Sequence, residues 1–154
     1  QGFKENLKDT IKSIDYISRI GHGVGITQFS PKEYKRVSKL LNKNKLYFDI
    51  CPYSNVMFLE ESVTGHSYNW NDYPIEEIKQ KLKKITLSSD DPGILCFNNN
   101  QTVSLFDGTN VEYNLTAEYL QLEKRGLYEL AKELLYNGFD APGVPIHIKA
   151  KNPK

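Results

Sequence analysis

Several things are scarce in this chain, and each scarcity excludes something. Cysteine occurs twice, as Cys51 and Cys96, too few for a disulfide-rich secreted scaffold. The expected compartment is therefore reducing, the cytoplasm. Net charge is nearly absent, with 20 Lys and Arg against 19 Asp and Glu for a formal +1. No overall field favours nucleic acid or an anionic membrane, and neither is expected as a partner. Long hydrophobic runs are missing, since stretches such as Leu46–Cys51 fall far short of the ~20 residues of a membrane span. No basic segment leading into an apolar one marks a signal peptide near the start. The chain opens on Gln1 rather than Met, which suggests a processed or excised piece. Tryptophan and methionine occur once each against 10 tyrosines, a bias that AT-rich codon usage explains without chemistry.

What is present suits one soluble domain. The 154 residues can bury a single core but not two ordinary ones, and 39% hydrophobic content argues against disorder. Phe3, Leu7 and Ile11 recur at helical spacing. The apolar, β-branched run Tyr16–Ile20 stops at glycine and predicts a strand. Ser30-Pro31-Lys32-Glu33 combines an N-cap, a first-turn proline and a capping-box glutamate, and Tyr34, Val37, Leu40 and Leu41 continue the helix. Leu46–Cys51 predicts a second strand, residues 53–73 a long connection, Pro74 onward a helix, and Ile85–Ser88 a third strand. A polar loop at Asn98–Gln101 then leads to helices near Glu112–Glu123 and Leu127–Tyr136, with Gly138 as C-cap and an extended tail from Ala141. Strands alternating with helices give an α/β fold with a parallel sheet.

Each predicted strand ends in an unusual polar motif: Gly21-His22-Gly23, then Cys51-Pro52-Tyr53-Ser54-Asn55, then Ser89-Asp90-Asp91-Pro92. Ligands of parallel α/β sheets bind at the carboxyl ends of strands, so three such motifs in succession converge on one site. Glycines on both sides would leave the His22 imidazole open to a ligand. An aspartate at the end of a buried strand, Asp90, is a hard donor for Zn²⁺ or another divalent ion, and Asp91 can hydrogen-bond a substrate. Each motif also has a plain reading: a turn that contains histidine, a polar helix cap, and a small buried cysteine before a strand-stopping proline.

Taken together, Arg19-Ile20-Gly21-His22-Gly23, Cys51-Pro52-Tyr53-Ser54-Asn55 and Ser88-Ser89-Asp90-Asp91-Pro92 resemble the adenosine deaminase family of zinc-dependent purine deaminases, from about Ile14 to Asn137. The resemblance implies strands six, seven and eight of a (β/α)₈ TIM-type barrel. Residues 1–140 would be the C-terminal part, about three β/α units plus closing helices, and residues 141–154 an extended tail. It implies hydrolytic deamination of the 6-amino group of adenosine or an adenine nucleotide. Asp90 would be both a zinc ligand and a catalytic residue. His22 would be the base or orienter of the attacking water, and Asp91 the substrate-binding residue.

The resemblance also shows what the chain lacks. The family carries an HxH pair, a third histidine ligand and a proton-donor glutamate on earlier strands. The three histidines here, His22, His66 and His147, form no such pattern. A whole barrel takes roughly 250 residues. The expected partners are therefore the purine substrate and an N-terminal barrel half, on another chain or in a missing segment, through a large apolar contact. Self-association into a homo-oligomer is a further way to cover the exposed strand edges. A catalytically inactive domain for ligand sensing or assembly, and a different amidohydrolase on the same barrel, stand as alternatives. Ser88, Ser89 and Asn55 read as residues that fix backbone. His66, Tyr68, Trp70 and Tyr73 read as loop packing or a substrate lid. Asn100-Gln101-Thr102 and Asn114-Leu115-Thr116 match glycosylation sequons, which chance also produces. One carboxylate is too few ligands for tight zinc. The isolated chain is expected to hold no stoichiometric zinc by elemental analysis, and a full equivalent would refute this.

Overall fold

A computed structural model describes residues 3–12, 14–43, 46–58, 69–90 and 102–141. Its centre is a three-stranded parallel sheet in the order β1 (Arg19–Gly21), β2 (Tyr47–Ile50), β3 (Ile85–Leu87). The pairing is in register, with Gly21 beside Asp49 and Asp49 beside Thr86. Side chains alternate between the faces of a strand. Ile20, Phe48, Ile50, Ile85 and Leu87 join one apolar core with Leu7, Ile11, Val24 and Ile26. On the other face, Asp49 accepts two hydrogen bonds from the Arg19 guanidinium and one from the Thr86 hydroxyl. These three side chains form a polar network on that face.

Helices complete the layers. In α1 (Phe3–Lys12), Leu7 and Ile11 are buried, and the helix lies against a 3₁₀ turn at Val24–Gln28. The start of α2 (Pro31–Lys43) has the expected capping box, in which Ser30 N–H donates to Glu33 Oε2 at 2.9 Å and Glu33 N–H to Ser30 Oγ at 3.4 Å. Lys4 and Lys8 of α1 also reach the Glu33 carboxylate. These lysines, with the Ser30 bonds, hold its pKa well below the usual range. Farther along are α4 (Ile75–Lys81), α5 (Leu115–Lys124) and α6 (Tyr128–Asp140), and α6 packs on β3. Asn137 of α6 donates from Nδ2 to the Ile85 carbonyl at 2.9 Å.

Four boundaries differ from the sequence reading. β1 begins at Arg19, after a 3₁₀ turn at Ile14–Tyr16, because the β1–β2 ladder starts only with Tyr47 N–H donating to the Ser18 carbonyl. Pro52 both ends β2 and opens a helix, α3 (Pro52–Phe58), so the connection after β2 is not all loop. A hairpin of β4 (Thr102–Ser104) and β5 (Asn110–Glu112) stands where the first predicted C-terminal helix begins, and α5 starts only after Asn114. Asn114 Oδ1 accepts from Thr116 and Ala117 N–H, which makes it a helix cap. The helix-ending glycine is Gly126, at φ 80°, closing α5, while α6 runs through Gly138. The Asn98–Gln101 loop and the tail beyond Ala141 lie outside the described residues, as do Cys96 and His147.

The turn after β1 is tight. Gly23 N–H donates to the Gly21 carbonyl at 2.9 Å, and both His22 and Gly23 have positive φ, 65° and 62°. A Cβ on Gly23 would meet Phe48 Cδ1 at 2.9 Å, whereas one on Gly21 would meet nothing within 4 Å. Gly23 is thus required by backbone and core. Gly23→Ala is expected to destabilise the protein by about 1–3 kcal/mol, measured by chemical denaturation. An unchanged midpoint would show that Phe48 yields freely.

Candidate active site

The register of the sheet brings the three strand ends level. His22 N–H donates to the Asp49 carbonyl at 2.6 Å, and Ser88 N–H to the Ile50 carbonyl at 2.9 Å, so the ladder runs one rung past β1 and β3. The motifs follow at once: His22 in the turn after β1, Cys51 after β2, and Asp90 three residues beyond β3. Donor atoms of His22, Cys51 and Asp90 all lie within 4.8 Å of one another. His22 Nε2 is 3.8 Å from Asp90 Oδ2, and their side chains are 37% and 40% exposed, open to an incoming ligand. A cavity of about 210 Å³ lined by Leu7, Thr10, Ile20 and the 21–23 turn borders His22.

Each side chain is held from a different element. Ser54, on the first turn of α3, donates its hydroxyl to Asp90 Oδ2 at 2.6 Å. Asn55, the next residue and 1% exposed, faces His22 Nδ1 with its Oδ1 at 2.8 Å. Its Nδ2 donates to the buried Tyr73 hydroxyl at 2.6 Å. With the amide turned that way, His22 Nδ1 carries a hydrogen and Nε2 faces Asp90. Asp90 sits at φ 58°, a left-handed conformation that costs a non-glycine residue about 1–2 kcal/mol. Ser88 Oγ accepts from Asp90 N–H at 3.2 Å and helps hold it there.

Cys51 is buried, and burial pushes its thiol up to about 12. It stays protonated near neutrality and is no nucleophile. An imidazole nitrogen and a carboxylate oxygen are donors that a divalent metal ion accepts, with Asp90 the open, anionic one, whereas the protonated Cys51 thiol is not such a donor.

Sequence reasoning missed two parts of this arrangement. Asn55 fixes histidine as well as loop. Glu118 of α5 is 0% exposed, accepts from Tyr53 N–H and Trp70 Nε1–H at 2.9 Å each, and has its Oε1 2.8 Å from the Tyr113 hydroxyl oxygen. Burial raises its pKa to about 7 against the pull of those three bonds. The available signal was position, since Glu118 shares a helix face with buried Gln121 and Leu122. Trp70 and Tyr73, at 6% and 0% exposure, are packing residues and not a lid. Asp91, His66 and Tyr68 lie outside the described residues. No described helix is long and apolar enough to cross a membrane.

Comparison with known proteins points to one family. The adenosine deaminase family model matches residues 2–140. An aminodeoxyfutalosine deaminase of Streptomyces coelicolor is 31% identical over 128 residues, covering 81% of this chain and 27% of that protein. An adenosine deaminase of Plasmodium knowlesi is 27% identical over 84 residues, covering 54% of this chain and 20% of that protein. The chain thus spans between a fifth and a third of the length of the curated relatives it matches. No solved structure matches. With a family match over nearly its whole length, and strand-end motifs that meet at one end of a parallel sheet, the chain belongs to the adenosine deaminase family.

Proposed function

We propose that the protein containing this chain hydrolytically deaminates the 6-amino group of an adenine nucleoside or nucleotide, and that His22, Asp90 and Asp91 are this chain's share of the active site. The observation that carries the reading is the meeting of His22 and Asp90, 68 positions apart in sequence, at 3.8 Å on the carboxyl ends of two strands. Asp90 contributes one carboxylate to a zinc site whose remaining ligands come from other parts of the protein. The chemistry such an ion supplies is acidification of water, whose pKa falls towards ~7.

His22 has the geometry of a proton acceptor beside that carboxylate. Asn55 holds Nδ1, so the free Nε2 can take the proton of the attacking water and later hand it to the leaving ammonia. Ser54 satisfies one Asp90 oxygen, which restricts the carboxylate to one orientation. Asp91 hydrogen-bonds a purine ring nitrogen. The three strands are the last three of a (β/α)₈ barrel, with the outer edges of β1 and β3 paired by strands of the N-terminal half. The polar Arg19–Asp49–Thr86 face lines the interior at the level below the site.

The longer and more identical match favours a second substrate within the same chemistry. The Streptomyces aminodeoxyfutalosine deaminase aligns over 128 residues, the Plasmodium adenosine deaminase over 84. Ammonia release by the complete protein from adenosine, AMP and aminodeoxyfutalosine separates these, and no release from any would support the catalytically inactive alternative.

Two variants assign the roles. Asp90→Ala is expected to lose both bound metal and deamination. His22→Ala is expected to keep the metal while kcat falls on the order of 10²-fold, the usual contribution of a positioned proton-transfer group. Wild-type turnover in His22→Ala would remove the imidazole from the mechanism.

A further inference from the structure

Outside the motifs, among the described residues, the Tyr113 side chain reaches the backbone that carries Asp90. Tyr113 follows β5, is 1% exposed, and its hydroxyl lies 2.9 Å from the Ser89 carbonyl. Ser89 immediately precedes Asp90, whose φ of 58° needs support from its surroundings. The same hydroxyl lies 2.8 Å from Glu118 Oε1. A phenol has one proton to donate, so it cannot serve both acceptors. If Tyr113 gives its proton to Ser89, the contact with Glu118 needs a proton from the acid. Glu118 can supply one, because burial raises its pKa to about 7. Among the described residues, the groups bonded to Glu118 are the Tyr53 N–H, the Trp70 indole N–H and the Tyr113 phenol, with the neutral Cys51 thiol nearby. None of these brings a charge that would force it to ionise.

We propose that Tyr113 is a positioning residue for Asp90, and that its hydroxyl, backed by Glu118, ties down the Ser89 carbonyl so that the left-handed Asp90 keeps its carboxylate beside His22. This rests on the reading of Asp90 as a metal-binding residue. It gives the β4–β5 hairpin a role, since Tyr113 lies in a second apolar cluster with Val103, Leu105, Trp70 and Ala117. The ring of Tyr53 packs against Tyr113 at 4.6 Å between centroids and keeps the phenol in place.

The test uses the complete protein carrying Tyr113→Phe, which keeps the ring and removes the hydroxyl. Val103→Ala, in the same cluster but without a bond to Ser89, is the control. Amide hydrogen exchange across residues 86–90 of the metal-free protein is expected to rise about 10-fold in Tyr113→Phe and to stay at the wild-type rate in Val103→Ala. Zinc affinity, by competition with a chelator, is expected to fall about 10-fold in Tyr113→Phe alone, the low end for a group that orients a ligand. Wild-type exchange and affinity in Tyr113→Phe would overturn the proposal. Equal changes in both variants would overturn it too, because the role would then be general packing. A wild-type protein that binds no zinc would refute the metal-site reading, while the exchange comparison would still decide whether Tyr113 holds the segment.

Discussion

Three strands of three or four residues owe their register to a short set of parallel hydrogen bonds, and every functional side chain is placed by that register. Phe48 N–H donates to the Lys84 carbonyl, Ser88 N–H to Ile50 and His22 N–H to Asp49. Strands alternate faces with a period of two, so a slip of one residue would turn Phe48 and Ile50 out of the core and Asp49 into it. Burial of Ile20, Phe48, Ile50, Ile85 and Leu87 on one face makes such a slip costly. The same constraint aligns the strand ends, and with them His22, Cys51 and Asp90.

Precision at those ends comes from turns and buried polar groups more than from the strands. His22 and Asp90 both occupy left-handed backbone, and each is held by bonds from elsewhere in the chain. Asn55 and Tyr73 lock the imidazole, and Ser54 and Ser88 lock Asp90. Strained residues at a site persist only where the surroundings over-determine them. Here the first turn of α3 supplies two of the fixing residues, so Pro52, by starting a helix directly after β2, bears on the site as much as on the fold.

The sequence made the alternating elements legible because Leu46–Cys51 and Ile85–Ser88 are short apolar runs bounded by turn residues, and because Ser30–Glu33 is a strong helix start. The three motifs were legible for the same reason: they sit at the ends of those runs. The hairpin could have been read from Asp107-Gly108 between Val103 and Val111, yet asparagine-rich sequence before it suggested irregular structure. Gly138 reads locally as a helix end, whereas packing of α6 on β3 keeps the helix going. Glu118 and the Asn55–His22 bond depend on contacts between residues 33 to 65 positions apart, which no local pattern reveals. The polar character of the sheet's second face was hidden likewise, since Arg19, Asp49 and Thr86 meet only once the strands pair.

The central claim is that the carboxyl ends of β1, β2 and β3 form part of one metal-assisted deaminase centre. Anomalous X-ray diffraction at the zinc edge, from crystals of the complete protein, tests it most directly. One strong peak is expected, bonded to an Asp90 carboxylate oxygen at about 2.0–2.2 Å, with the His22 ring beside it. A zinc peak elsewhere in the protein, with Asp90 and His22 bonded only to protein groups, would contradict it.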